Sequence, residues 1–148
     1  MQTLVRAFVR YHKGMGRMPW YWRPFLAALF VANLVMPLVF ITRAEAQVVF
    51  LTTIANSALF TLLTAAQGFT RLLSLAHLPW IPLIYYLATR LDDLPADNAY
   101  GIWLRVLLVL NAASLMIDTV NVIRFLAGDR GELVTGLSDQ PGQPEHSS

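Results

Sequence analysis

The sequence predicts an all-α integral membrane protein, a four-helix bundle preceded by an N-terminal interfacial amphipathic helix. Three observations predict it. The 148 residues are 56% hydrophobic and only 14% charged, where a soluble domain carries about 25% charged residues. Four apolar segments, 24–41, 46–66, 69–91 and 101–126, each reach the roughly 17–25 residues that a spanning helix needs. Basic residues gather at one set of segment ends, as the positive-inside rule requires. Mean hydropathy is +0.52. Barrel strands would alternate in segments of about ten residues, and no such pattern is present. One membrane domain is expected over 1–127. The tail over 128–148, rich in Gly, Pro, Ser and acidic groups, is expected to be disordered and cytoplasmic.

Residues 2–13 form the first element. Helical spacing puts Leu4, Val5, Phe8 and Val9 on one face. Arg6, Arg10 and Lys13, followed by Arg17, lie on another. This is the pattern of a helix lying on anionic lipid headgroups; a frayed basic tail is the alternative. Gly14 and Gly16 are expected to end it. Trp20, Tyr21 and Trp22 mark the headgroup level. Pro24 then suits the first turn of a span, where its missing N–H costs nothing.

Each span carries polar groups near its middle. Asn33 is central in the first, with Pro37 four residues later. A helix-interior proline frees the carbonyl four positions earlier, so a kink is expected where Asn33 re-satisfies its own backbone. Asn56 is central in the second span, on a semi-polar face with Thr53, Phe60, Thr64 and Gln67. In the third, Pro79 frees Leu75 and Pro82 frees Leu78, which predicts a bent helix near Trp80. In the fourth, Asn111, Ser114, Asp118 and Asn121 are spaced 3, 4 and 3 apart. They fall within an arc of roughly 80° on one face.

Charge sets the topology. With the N-terminus in the cytoplasm, Arg6, Arg10, Lys13, Arg17, Arg23, Arg71, Arg124 and Arg130 lie on that side, eight of the eleven basic residues. Arg43, Arg90 and Arg105 lie outside, near Glu45, Asp92, Asp93 and Asp97. Four spans return the C-terminus to the cytoplasm, and a bacterial inner membrane is the expected location. Ala44-Glu45-Ala46 also reads as a signal-cleavage pattern. Cleavage there would leave three spans. The long charged region before the apolar run, and the length of that run, argue against it.

An aspartate near the bilayer centre costs on the order of 2.5–3.5 kcal/mol on insertion scales, so Asp118 is the main functional lead. Placed by helix rise, His77 and Asp118 lie about 4–5 Å and about 6 Å on the cytoplasmic side of the midplane, at depths that allow contact. Such a pair serves a proton relay or simply buries two polar groups. Alternatively, Asp118 lies one turn from the headgroups and meets water. Asn33, Asn56, His77, Asn111, Ser114, Asp118 and Asn121 form a candidate intramembrane polar network. It is read as interhelical glue or, less simply, as a hydrated path. Arg23, Arg71 and Arg124 are candidate cytoplasmic-interface residues. Arg105 is expected to snorkel or to pair with Glu45, Asp92 or Asp93.

The chain has no cysteine, which excludes disulfides and thiolate chemistry. Walker, Rossmann, GxSxG and HExxH patterns are absent. No catalytic, metal-ligating or cofactor-binding residue is assigned and no cofactor is expected. The pI near 9.3 reflects membrane topology, and no nucleic-acid partner is expected. The architecture resembles small bacterial-type four-span membrane proteins, a likeness that carries no function. The leading expectation is a non-catalytic accessory, scaffold or assembly subunit with a membrane-protein partner or a homo-oligomer. A small oligomeric transporter, channel or proton-linked sensor is the alternative, and a lipid-acting enzyme a further one.

Overall fold

The computed structural model describes residues 2–68 and 70–129, and every element in it is helical. In chain order these are α1 (Gln2–Gly16), a 3-10 turn at Trp20–Trp22 and α2 (Arg23–Phe30). A π-helical turn over Val31–Val35 and α3 (Met36–Val39) complete the first apolar helix. Then follow α4 (Ala44–Gln67), a 3-10 helix over Arg71–His77, α5 (Trp80–Ala88), a 3-10 turn at Leu91–Asp93 and α6 (Ala99–Leu126). Three helices are long and apolar enough to span a membrane: Trp20–Val39, Ala44–Ala66 and Ala99–Leu126. Their outward faces carry large apolar side chains such as Phe30, Leu51 and Met116, as a lipid-facing surface requires.

The first helix widens where Pro37 interrupts it. The Met36 N–H bonds to the Val31 carbonyl, a five-residue turn. Pro37 has no N–H to offer either Ala32 or Asn33. Neither carbonyl is left bare. Trp103 Nε1 donates to the Ala32 oxygen at 2.9 Å, and Thr53 Oγ1 donates to the Asn33 oxygen at 2.7 Å. The expectation that Asn33 would repair its own backbone is therefore corrected: a hydroxyl from α4 does so. The Asn33 side chain turns instead to the Leu29 oxygen (3.0 Å) and to Asn111.

The third apolar segment also departs from the expected continuous span over 69–91. It is divided at Leu78 and Pro79 into the Arg71–His77 3-10 helix and α5. Seven residues of 3-10 helix is long for a form that rarely exceeds 3–4. Proline explains it. Three-residue turns let Leu78 N–H reach the Leu75 oxygen and Ile81 N–H reach the Leu78 oxygen, both at 3.1 Å. The two carbonyls expected to be freed by Pro79 and Pro82 are thus satisfied. The vacancy moves to Ala76, whose three-residue partner is Pro79. Asn56 of α4 fills it, as described below. Both pieces of this broken element pack against α4 and α6.

The apolar core lies between α2, α4, α5 and the first half of α6. Leu87, Leu104, Leu107 and Val49 are fully buried there, with Phe40 stacked on Trp103 at 5.4 Å. A smaller cluster joins α1 to α4 through Tyr11, which stacks on Phe60 at 4.7 Å. The helix α1 runs through Gly14, which is buried, rather than stopping there. Its Leu4, Val5, Phe8 and Val9 face outward.

At one end of the molecule, Arg105 does not pair with Glu45, Asp92 or Asp93 as expected. Its guanidinium donates to the carbonyls of Leu91 (3.1 Å), Leu94 (3.2 Å) and Gly101 (3.1 Å). It gathers the loop onto α6, whose N-terminus is capped by the Asn98 side chain accepting from Gly101 N–H at 2.8 Å. Glu45 instead accepts from the Tyr100 hydroxyl at 2.8 Å. At the other end, Gly128 (φ +107) reverses the chain after Ala127. Gly128 N–H bonds to Phe125 O at 3.1 Å and Asp129 N–H to Arg124 O at 3.0 Å, the paired bonds of a Schellman cap. Gly128 and Asp129 thus belong to the helix end and not to a disordered tail. The remainder of the predicted tail, 130–148, lies outside the described residues.

A Cβ on Gly101 would sit 1.8 Å from the Pro95 carbonyl oxygen, a backbone atom with little freedom to retreat. Gly101→Ala is expected to destabilise the protein by about 1–3 kcal/mol, the usual scale of overpacking. A lowered thermal midpoint in detergent checks this.

Candidate functional site

The seven polar residues singled out along the spans do not form one network. Five of them make two pairs and a bridge. Near the middle of the molecule, Asn33 and Asn111 exchange two amide bonds. Asn33 Nδ2 donates to Asn111 Oδ1 at 2.8 Å, and Asn111 Nδ2 returns to Asn33 Oδ1 at 3.0 Å. Both side chains are buried. Reciprocal amides satisfy each other's donors and acceptors without any charge.

Two turns further along α6, Asp118 meets His77, the last residue of the 3-10 helix. His77 Nδ1 lies 2.8 Å from Asp118 Oδ2. The side chains are 16% and 13% exposed, so Asp118 is turned into the protein. The imidazole stacks on Trp80 at 3.9 Å and 12°. Phe60 of α4 meets it edge-on at 4.8 Å. An ionised carboxylate can only accept, so His77 Nδ1 is the donor where Asp118 is ionised.

Asn56 joins the histidine's surroundings to the backbone. With the amide oriented to suit its neighbours, its oxygen accepts from Trp80 Nε1 at 2.7 Å. Its nitrogen donates to Ala76 O at 3.1 Å and Thr52 O at 3.3 Å. One side chain therefore fills the carbonyl stranded by Pro79 and fixes the indole that supports His77. Ser114 is buried between the two pairs on α6, and Asn121 is half-buried one turn beyond Asp118. Neither lies in a pair.

The candidate interface residues divide as well. Arg71 Nε and Arg124 Nη2 converge on one oxygen of Asp129, at 2.9 Å and 3.0 Å. The hydrogen bond from Arg71, reinforced by the charges of both guanidiniums, holds the Asp129 carboxyl below its usual range. Arg23 is exposed at the start of α2.

Four participants were not legible in the sequence. The two tryptophan indoles and the Thr53 hydroxyl act as donors across helices, yet tryptophan reads as an interface anchor and threonine as ordinary glue. Proline supplied the usable signal, since each helix-interior proline implies a donor elsewhere. Asp129 was hidden in a polar tail, where only the preceding glycine marked a cap.

Chemically, the His77–Asp118 pair can hold or pass a proton. The described residues contain no group of three or more His, Cys, Asp or Glu suited to a metal ion. An open groove of about 500 Å³ lies between α2 and α6. Its wall residues, among them Ala28, Ala32, Met36 and Val106, are apolar, so it offers no acid or base.

Two outcomes test this site. Asn33→Ala and Asn111→Ala, taken singly and together, are expected to couple by about 0.6–2 kcal/mol, read from a double-mutant cycle of unfolding in detergent. For Asp129, the lowered carboxyl means that its stabilising contribution is present above the unfolded value near about 3.9. That contribution is lost as pH falls through the lower folded value. Asp129→Asn is expected to remove this acid-dependent loss in pH-resolved thermal melts.

Comparison with protein-family models, with curated proteins and with solved structures gives no match.

Proposed function

We propose that this chain is a non-catalytic multi-pass membrane protein that serves as an accessory, scaffold or assembly subunit of a larger membrane complex. The observation that carries this reading is how the polar interior is used. Asn33, Asn56, Thr53, Asn111, Trp80 and Trp103 bond to one another or to carbonyls that prolines leave open. Groups committed in this way hold helices together and are not free to bind a substrate. The large apolar surface of the three spanning helices leaves ample area for a membrane partner.

The broken element acts as a fourth crossing in this proposal. Seven residues at about 2.0 Å and nine at about 1.5 Å reach about 28 Å, close to the roughly 30 Å hydrocarbon thickness. Because it is then discontinuous, the bundle has three continuous spans and one composite span. Basic residues at the Arg71 and Arg124 ends favour that side as cytoplasmic, with both termini there and a bacterial inner membrane as the location. Arg6, Arg10, Lys13 and Arg17 of α1 would rest on anionic headgroups, with the outward Leu4, Val5, Phe8 and Val9 entering the acyl boundary. The first span is retained, because its loss would strip Asn111 and Trp103 of their partners.

A second reading rests on the His77–Asp118 contact. An ionisable pair within a span is a functional candidate by default, and a proton-linked oligomeric transporter or sensor would use it.

Extraction from native membranes in mild detergent is expected to bring down a stoichiometric membrane-protein partner. Recovery of a lone monomer would count against the accessory role. Proteoliposomes of the purified chain are expected to show no proton flux above empty vesicles. Flux that disappears in both Asp118→Asn and His77→Ala would replace the first reading with the second.

A further inference from the structure

The cluster at the end of α6 is unbalanced in charge. Two guanidinium groups, Arg71 and Arg124, share a single carboxylate oxygen of Asp129. The three groups together carry one net positive charge. The guanidiniums come from different elements, the start of the broken third segment and the last turn of α6. Arg71 is held, with its side chain 19% exposed, whereas Arg124 and Asp129 are open at 57% and 40%. Asp129 reaches this position from just beyond the helix, on the turn made by Gly128. It is therefore a tethered anion on a short stem, sitting on a two-arginine fork that it only half neutralises.

The depth of the cluster suggests what else could sit there. At about 1.5 Å per residue, the 28 residues of α6 extend about 42 Å. The hydrocarbon is roughly 30 Å thick, so the ends of α6 reach the headgroup layers. Arg124 is in the final turn and Asp129 is beyond it. Lipid phosphates occupy that level. Guanidinium forks match phosphate oxygens in geometry and accept a second negative charge that a carboxylate cannot supply.

We propose that Arg71 and Arg124 form a binding site for the phosphate of an anionic lipid headgroup, with Asp129 as a built-in competitor that occupies the site when no such lipid is present. The proposal rests on α6 as a membrane span. It does not rest on the accessory role. Lipid entry displaces the carboxylate without disturbing the backbone cap, because the Asp129 N–H and not its side chain bonds to Arg124 O. The contact between the third segment and the end of α6 then passes through the lipid instead of through the protein alone. The local lipid composition would in this way set how firmly these two elements are joined.

The test uses the full-length chain in detergent, with native mass spectrometry as the readout and phosphatidic acid as the probe. Phosphatidylcholine is the reference lipid. All variants carry Arg6→Gln and Lys13→Gln, so that α1 does not dominate binding. Asp129→Asn is expected to tighten phosphatidic acid binding about tenfold, because a site occupied most of the time by its competitor shows a correspondingly reduced apparent affinity. Arg71→Gln with Arg124→Gln is expected to weaken it at least about tenfold, and Arg71→Lys with Arg124→Lys to keep a part. Thermal melts of each variant establish that it is folded. Equal affinity of Asp129→Asn and the parent would overturn the proposal, since Asp129 would then be only a helix staple. So would competition by millimolar inorganic phosphate as effective as that by lipid, which would indicate a site for a soluble anion. A chain that leaves membranes without detergent would defeat the spanning assignment itself, a different failure from either of these.

Discussion

Inside a bilayer every backbone carbonyl must find a donor within the protein, because no water is there to supply one. Three prolines at 37, 79 and 82 set this constraint for the present chain, and side chains of Thr53, Asn56 and Trp103 answer it. The break at Pro37 strands two carbonyls, which Trp103 and Thr53 take. The break at Pro79 strands one, which Asn56 takes. Pro82 is absorbed by local three-residue turns. An unmet polar group in such surroundings would cost several kcal/mol, more than a typical interhelical bond contributes. The side chains that meet these carbonyls therefore fix which helices are neighbours and in which register.

Uncharged and ionisable polar groups occupy different places. Thr53, Asn56 and Trp103 are bonded at the breaks, Asn33 and Asn111 are bonded to each other, and the Thr64 and Thr70 hydroxyls are buried without a partner among the described residues. His77 and Asp118 stand apart as ionisable groups, held by aromatic rings on either side of the imidazole. The second ionic contact, at Asp129, joins the same two elements nearer the helix end. The third segment is thus tied to α6 by two charge-bearing contacts, beside the buried Leu73 and Ala76 of its 3-10 helix and the apolar packing of α5. A 3-10 run has poorer hydrogen-bond geometry than an α-helix, and these lateral ties add to the packing of Leu73 and Ala76 in holding it.

Helical class and the three continuous apolar helices were legible in the sequence, because length and hydropathy report them directly. The meeting of His77 and Asp118 was legible as a possibility, since helix rise fixes depth; rotation about the axis was not, and only tertiary packing determines it. Asn33 and Asn111 were each identifiable as intramembrane amides, but nothing in their own neighbourhoods named the other as partner. The third segment was legible as bent and not as divided. Proline states which N–H is missing but not whether the chain answers with a kink, a wider turn or a tighter one. The first helix chose the wide turn and the third the tight one. Asp129 was obscured by composition: a Gly- and Ser-rich stretch reads as a tail even where its first residues complete a helix cap.

The placement of Thr53 and Asn56 on α4 has a mechanical consequence. They are three residues apart, about 4.5 Å along the axis, and they reach in different directions to the two proline breaks. The helix therefore works like a camshaft with two lobes. Any twist or slide of α4 that unseats one hydroxyl or amide from its carbonyl disturbs the other in the same movement. The two discontinuities, at Pro37 and Pro79 in the chain, are consequently parts of one linkage, and neither can straighten or bend further alone.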